Sequence, residues 1–432
     1  MSASARPNAA LTVDIAGSTP VSALALSFSF SRSRRQWLRT GVLALTAAGM
    51  SFASVASYAA DTVKIGLVTA LSGQSARAGE ALTRGMTIAI DEINASGGVL
   101  GGRKLELVRR DDEGNPAKGV LAARELIYKD KVAVLFGGLD TPVSMAILPI
   151  ANQEKVPFMG PWAAGTPITR NGANPNYVFR VSAVDEIVDG AMVNYAQQTF
   201  GAKKLGLILV NNPWGESNEK GIVAALAAKG MKPAAVEKFE ANDVDVTPQL
   251  GRLKAAGADT LLMVGNVGPS AQVVKSLDRM GWKVPIVSHW GPAGGRFTEL
   301  AGPNAKTVHF VQTYSFFGAT SPVSTRVVAA LKAKYSDIKG ADDITPAVGV
   351  ANAYDAMRLT ALAIDKAGST NGDAIRTGFY KIDRYDGLIK TYVKPFSEQQ
   401  HDALSAQDYV WAQFIDNRIV PVAPAGAKVA AK

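Results

Sequence analysis

The sequence contains no cysteine and only three histidines, His289, His309 and His401. That excludes disulfides, thiolate catalysis and cysteine metal sites, and it leaves too few imidazoles for a histidine-rich metal centre. It also excludes a lipid-anchored exported form, because acylation at a signal cleavage site needs a cysteine. Nucleotide fingerprints are missing too. The segment after the first apolar run reads LSGQSARAG, not G-x-G-x-x-G, and there is neither a P-loop nor a G-x-S-x-G elbow. Ser217 to Lys220 and Ser336 to Lys339 match S-x-x-K, but neither has the companion motifs of a serine acylase, and chance accounts for both. No basic run with interleaved aromatics occurs, so a nucleic-acid partner has little support. With 47% apolar residues and only 19% charged ones, the 432-residue chain can bury a large core in more than one domain.

The first sixty residues differ in kind from the rest. Arg32, Arg34, Arg35 and Arg39 precede an apolar run from Gly41 to Ala56, and Ser57-Tyr58-Ala59 supplies the small residues of a cleavage site. This predicts an export signal over residues 1–59, with Met1 to Phe30 as a longer leader than a signal needs. Ser33 to Arg39 is similar to a twin-arginine motif, with Trp37 and Arg39 in place of the usual phenylalanine and lysine; an ordinary Sec signal is the alternative. The leader holds five arginines and one aspartate, so the remaining chain carries about +5 of the total +9.

From Asp61 onward strands and helices alternate. VKIGLVTAL is a continuous apolar run, Ser72 to Ser75 a turn, and Leu82, Met86, Ile90 and Ile93 recur at helical spacing before the stop at Ser96-Gly97-Gly98. KLELVRR, the acidic turn Asp111 to Gly114, a helix through Leu126 and VAVLF continue the series. A second series of the same plan starts at KKLGLILVNN, with a join near Arg180 to Asp185. Such βαβ repetition predicts an α/β fold of two doubly wound parallel-sheet lobes. The remainder, with helices over 323–335 and 347–367 and strands near 388–393 and 409–415, is expected to complete both sheets. That requires more than one crossing, hence a hinge. The expected boundaries are 60–182 and 313–393 for the first lobe, and 183–312 and 394–432 for the second lobe and tail.

The stretch from Phe136 to Thr169 reads as a strand end, a Gly-Gly turn, an amphipathic helix, a short strand from Val156 and a second polar turn. Turns at the carboxyl ends of neighbouring strands in an open α/β sheet are where ligands bind, since helix N-termini and free backbone groups converge there. The two turns are therefore expected to form half of a small-molecule site.

The ordered set of segments resembles the type I periplasmic solute-binding proteins of ABC transporters, and within them the branched-chain amino-acid-binding family. The carriers are VKIGLVTALSGQSARAGEALTRGMTIAIDEINASGGVLGGRKLELVRRDDEGNP, FGG with LPIANQEKVPFMGP and Thr169, PWGES, MGWKVPIVS, and ANAYDAMRLTALAIDKAGS. The resemblance covers essentially the whole chain after the leader. It implies two lobes joined by a three-crossing hinge, closing on a solute that is then delivered to permease subunits. It implies no catalysis, no cofactor and no metal. It also implies a monomer that acts in the periplasm and is not embedded in the membrane. A ligand-sensing receptor of the same fold, for amides or organic acids, is the alternative.

Carried onto this sequence, the family's first-lobe hydroxyl falls on Thr141, its carboxylate-holding turn near Ala163 and Ala164, and the aromatic of the second lobe on Trp214. The acid that meets an amino acid's ammonium falls on or beside Trp290, and the family's tryptophan wall near Ala78. A buried ammonium without a counter-charge costs several kcal/mol, so either Asp140 replaces the missing acid or the ligand is an amine-free carboxylate. In the second case Arg77 or His289 would meet the carboxylate, and Trp162, Trp214 and Trp290 would wall the body. Ser72 in the first turn and Asn266 on the opposite wall complete the candidates. Each has an ordinary reading as well. Trp214 and Trp290 could pack at the hinge, Arg77 could solvate a helix start, Asp140 could cap the helix that follows, and His289 could be structural. Asp111 and Asp112 read as solvated turn acids that could in principle hold a cation.

Overall fold

The computed structural model describes residues 62–422. The expected export signal over 1–59 and the last residues of the tail lie outside the described residues. The first sheet contains β1 (Val63–Thr69), β2 (Leu105–Asp111), β3 (Val134–Gly137), β4 (Phe158–Gly160) and β5 (Val178–Arg180), with helices α1 (Ala76–Ala95), α2 (Pro116–Arg124) and α3 (Thr141–Gln153) between them. Its strand order is β2-β1-β3-β4-β5, and every pairing is parallel. β1 and β3 are buried almost throughout, which explains why they read as unbroken apolar runs rather than alternating ones.

The second series gives α4 (Asp185–Phe200), β6 (Leu205–Val210), α5 (Pro213–Ala227), β7 (Ala235–Phe239), α6 (Thr247–Ala255), β8 (Thr260–Val264), α7 (Val267–Arg279), β9 (Ile286–Ser288), α8 (Phe297–Ala301) and β10 (Val308–Gln312). The remainder supplies α9 (Pro322–Lys334), α10 (Ala347–Ala367), α11 (Gly372–Tyr380), β11 (Arg384–Asp386), β12 (Thr391–Val393), β13 (Val410–Ile415) and β14 (Arg418–Pro421). The second sheet runs β14-β13-β10-β9-β8-β6-β7, parallel from β10 to β7, with β13 antiparallel to β10 and β14 antiparallel to β13.

The fold is therefore two doubly wound lobes with three chain crossings. Helix α10 packs along α1 and α11 along α10, so this late segment covers the first sheet. One expectation needs correction. The strand expected near 388–393 does not extend either sheet; β11 and β12 form a two-stranded hairpin of their own. This hairpin is anchored by the buried Asp355 of α10, which accepts from the backbone N–H groups of Leu388 (2.7 Å) and Ile389 (2.9 Å) and from the Tyr392 hydroxyl (2.9 Å). The last crossing also comes later than residue 394. Arg180 of β5 donates its N–H to the His401 carbonyl and accepts from the Ala403 N–H, both at 2.9 Å, so residues 401–403 still run along the first sheet.

Candidate functional site

On the first lobe, β3 ends at a Gly137-Gly138 turn and α3 begins with Asp140 at its N-cap position. The Asp140 side chain does not cap the helix. Its Oδ1 instead accepts a hydrogen bond from Asn266 Nδ2 of the second lobe at 2.8 Å, and burial pushes its carboxyl up while that donation opposes the shift. The next residue, Thr141, is buried, and its Oγ1 accepts from the Gly165 N–H at 3.1 Å, which ties the first turn to the second.

The second turn follows β4 and carries Trp162, Ala163 and Ala164, all buried. It is braced from behind by Arg180, fully buried at the end of β5. The guanidinium donates to the Gly165 carbonyl (2.8 Å), to Thr169 Oγ1 (2.9 Å) and to Asp402 Oδ1 (2.6 Å). One buried ion pair thus holds the site's turn and the last hinge segment together.

The second lobe supplies the facing wall. Asn212 caps α5 by accepting from the N–H groups of Trp214 and Gly215, which sets Trp214 at the helix start. Trp214 Nε1 donates to Asp185 Oδ1 at 3.2 Å. His289, at the carboxyl end of β9, accepts through Nδ1 from the Trp290 N–H at 2.8 Å, and its Nε2 stands 3.1 Å from the same Asp185 oxygen. Trp290 then reaches across to Trp162 of the first lobe, with ring centroids 5.6 Å apart and planes tilted by 42°.

The lobes are closed over one small cleft lined by Leu139, Asp140, Thr141, Trp162, Ala163, Ala164, Trp214, Asn266 and Trp290. About 10 Å³ is left inside, roughly the room one water needs. The Thr166 N–H donates to Ser217 Oγ of α5 at 3.1 Å, a further bond between lobes. A cavity of about 490 Å³ lies instead at the opposite end of the second sheet, among Phe200, Trp282, Ile286 and His309. Size alone does not make it the site. The small cleft sits at the carboxyl ends of the strands, where this architecture places ligands, and holds the convergent polar groups.

The cleft brings together eight of the expected residues: Asp140, Thr141, Trp162, Ala163, Ala164, Trp214, Asn266 and Trp290. His289 stands behind the wall, edge-on to both Trp214 and Trp290. Ala78 is buried at the rim, facing Gly294 of the second lobe. Two candidates lie elsewhere. Ser72 is exposed and hydrogen-bonds the Asp111 carboxylate, while Arg77 is exposed beside a separate cavity shared with Glu80, Arg84 and Asp337.

Three residues were missed. Leu139 gives no signal beyond a generic apolar residue. Asp185 falls at the expected join, where an acid opening a helix is unremarkable. Asp112, a solvated turn acid by its sequence context, is 1% exposed. Its Oδ1 accepts from the Gly114 N–H at 2.8 Å, and Oδ2 has no partner. Burial pushes this carboxyl up to about 7; the Gly114 bond opposes that shift, and the nearby charges of Asp140 and Asp111 add to it. Among the described residues no group of three or more His, Cys, Asp or Glu side chains is arranged to hold a metal ion, and no helix is long and apolar enough to cross a membrane.

Two doubly wound lobes, three crossings and a cleft of turn backbones facing aromatic rings define a hinged binding protein. The profile of the family described as "Periplasmic binding protein" matches residues 62–413, and the chain belongs to that family, in the type I branch that includes the Leu/Ile/Val-binding proteins. Leu/Ile/Val-binding protein homolog 3 of Brucella melitensis is 26% identical over 328 residues, 76% of this chain and 84% of that protein. The crystal structure of a type 1 periplasmic binding protein from Bordetella pertussis superposes with a TM-score of 0.76 at 25% identity, covering 84% of this chain and 100% of that one. An R. palustris ABC-transporter solute-binding protein in complex with 4-hydroxybenzoate gives a TM-score of 0.72 at 22% identity, covering 84% and 96%.

Proposed function

We propose that this protein is the exported solute receptor of an ABC importer, without chemistry of its own. It captures a small amine-bearing carboxylate of the amino-acid type by closing its two lobes. The observation that carries the ligand class is Asp140. Its carboxylate lines the cleft rather than capping α3, and it accepts there from a neutral amide, Asn266. A buried carboxyl raised by desolvation favours a cationic partner, and an ammonium replacing or joining Asn266 provides one. The ligand's carboxylate then falls to the Thr141 hydroxyl and the backbone of the Ala163-Ala164 turn, with Trp162, Trp214 and Trp290 covering its side chain. The amine-free reading loses its cations. Arg77 lies outside the cleft, and His289 has its Nδ1 engaged by the Trp290 N–H and its Nε2 turned to Asp185. Periplasmic action and delivery to permease subunits follow from the family and from the export signal read in the sequence.

A thermal-shift screen of the chain lacking its leader tests this reading. A ligand that binds only the folded state raises stability by about 2.7 kcal/mol at a hundredfold excess over its Kd. L-leucine, L-isoleucine and L-phenylalanine are expected to raise the melting temperature, and Asp140→Asn to abolish that rise. If 4-hydroxybenzoate and other amine-free acids alone raised it, the role given to Asp140 would be wrong. Turnover of a bound compound would overturn the receptor reading itself.

A further inference from the structure

We infer that Asp185 is a positioning residue for the second lobe's aromatic wall and couples that wall to the hinge; the binding consequence rests on the receptor reading above. Asp185 opens α4, directly after the first chain crossing, and is completely buried. It reaches both lobes. Its backbone N–H donates to the Ala164 carbonyl at 2.8 Å, on the first-lobe turn of the cleft. Its Oδ1 receives the Trp214 indole N–H at 3.2 Å and faces His289 Nε2 at 3.1 Å. His289 passes the constraint on, since its Nδ1 accepts the Trp290 backbone N–H at 2.8 Å. One carboxylate oxygen therefore holds Trp214 by a hydrogen bond and stands against the imidazole that accepts from the Trp290 amide.

Asp185 does not line the cleft, so its effect on a ligand acts through the rings it holds. A buried carboxylate is costly unless its neighbours need it. Here the neighbours are an indole whose Nε1 donates to Asp185 and an imidazole whose buried Nε2 lies 3.1 Å from the same oxygen without forming a hydrogen bond. The position also benefits from the start of α4, where the helix dipole favours an acid. Removing the side chain frees the Trp214 indole and the His289 ring, and the wall then loses its fixed setting relative to the first-lobe turn.

The test uses the chain without its leader as wild type, Asp185→Ala, Asp185→Asn and Trp214→Phe, the last also assigning the indole signal. Proton–nitrogen spectra report hydrogen exchange at the Trp214 indole N–H and the Trp290 amide, and calorimetric titration with L-leucine and L-phenylalanine reports affinity. Asp185→Ala is expected to speed both exchanges and to weaken binding about tenfold or more, the loss typical of a bond to a charged group. Asp185→Asn keeps an acceptor for the indole and is expected to restore most of its protection. Combining Trp214→Phe with Asp185→Ala should cost less than the two single losses together, since both remove the same bond. Unchanged exchange in Asp185→Ala overturns the proposal. So does full additivity of the pair; if the alanine variant fails to fold, the exchange measurement and the cycle are run on Asp185→Leu, which fills the volume and likewise removes the acceptor. If the wild type binds neither amino acid, the amino-acid reading fails, while the exchange data still judge Asp185.

Discussion

At the scale of single residues, the buried acids decide more than the exposed ones. Asp112 sits between the starts of α2 and α3, with its carboxyl pushed up to about 7 chiefly by burial. Its unfolded value is near 4. Between those two values the folded state holds a proton that the unfolded state has released, so the contribution is full below about pH 4 and is lost as pH rises to about 7. Asp112→Asn keeps an acceptor for the Gly114 N–H and removes the titration. Urea unfolding is expected to show it equal to wild type near pH 4 and more stable at pH 8, by roughly 2–4 kcal/mol. Equal stability at both pH values would show that Asp112 is hydrated in solution. Nothing in Asp-Asp-Glu-Gly distinguishes this acid from its neighbours, because its burial depends on the packing beside the turn, where Gly119 of α2 lies close to both Asp112 and Val143 of α3. Asp140 was legible as a candidate, but the sequence did not show that its partner is Asn266.

At the scale of elements, the apolar spacing located α1 and α10 well, since both bury long stripes. It could not show that they pack together, as that depends on close approach and not on periodicity. Gly85 supplies the approach: a Cβ there would lie 2.3 Å from the Val350 carbonyl oxygen. Gly349 does the same under the cleft, where a Cβ would come 3.1 Å from the Trp162 ring. Gly85→Ala gains about 1 kcal/mol of helix propensity, yet it meets backbone that cannot rotate away. The expected outcome is a net loss of roughly 1–3 kcal/mol in urea unfolding; a gain would mean that α10 slides without cost. The start of α7 was also illegible. The helix begins at Val267 and carries Gly268 and Pro269 in its first turn, residues whose ordinary place is a loop. Proline suits that position because the first N–H groups need no helical partner.

At the scale of the whole molecule, the two-lobed plan was readable because each parallel strand is a continuous apolar run and each is followed by a helix. The crossings were harder, since a chain changing lobes has no composition of its own. Residues 401–403 show the difficulty: they join the first sheet through backbone bonds to Arg180 that no side chain announces. With about 10 Å³ in the closed cleft, a solute of amino-acid size enters only when the lobes part. In solution scattering, a ligand that raises the melting temperature is therefore expected to lower the radius of gyration as it draws the lobes together. A ligand that stabilised the protein without changing that radius would be bound to one lobe alone.

The Arg180–Asp402 pair bears on which parts of the molecule stay together when the lobes part. It fastens the cleft's second turn to the last hinge segment inside the first lobe. The cleft's second turn and residues 401–403 are thus tied into one piece, facing Trp214 and Trp290 of the second lobe.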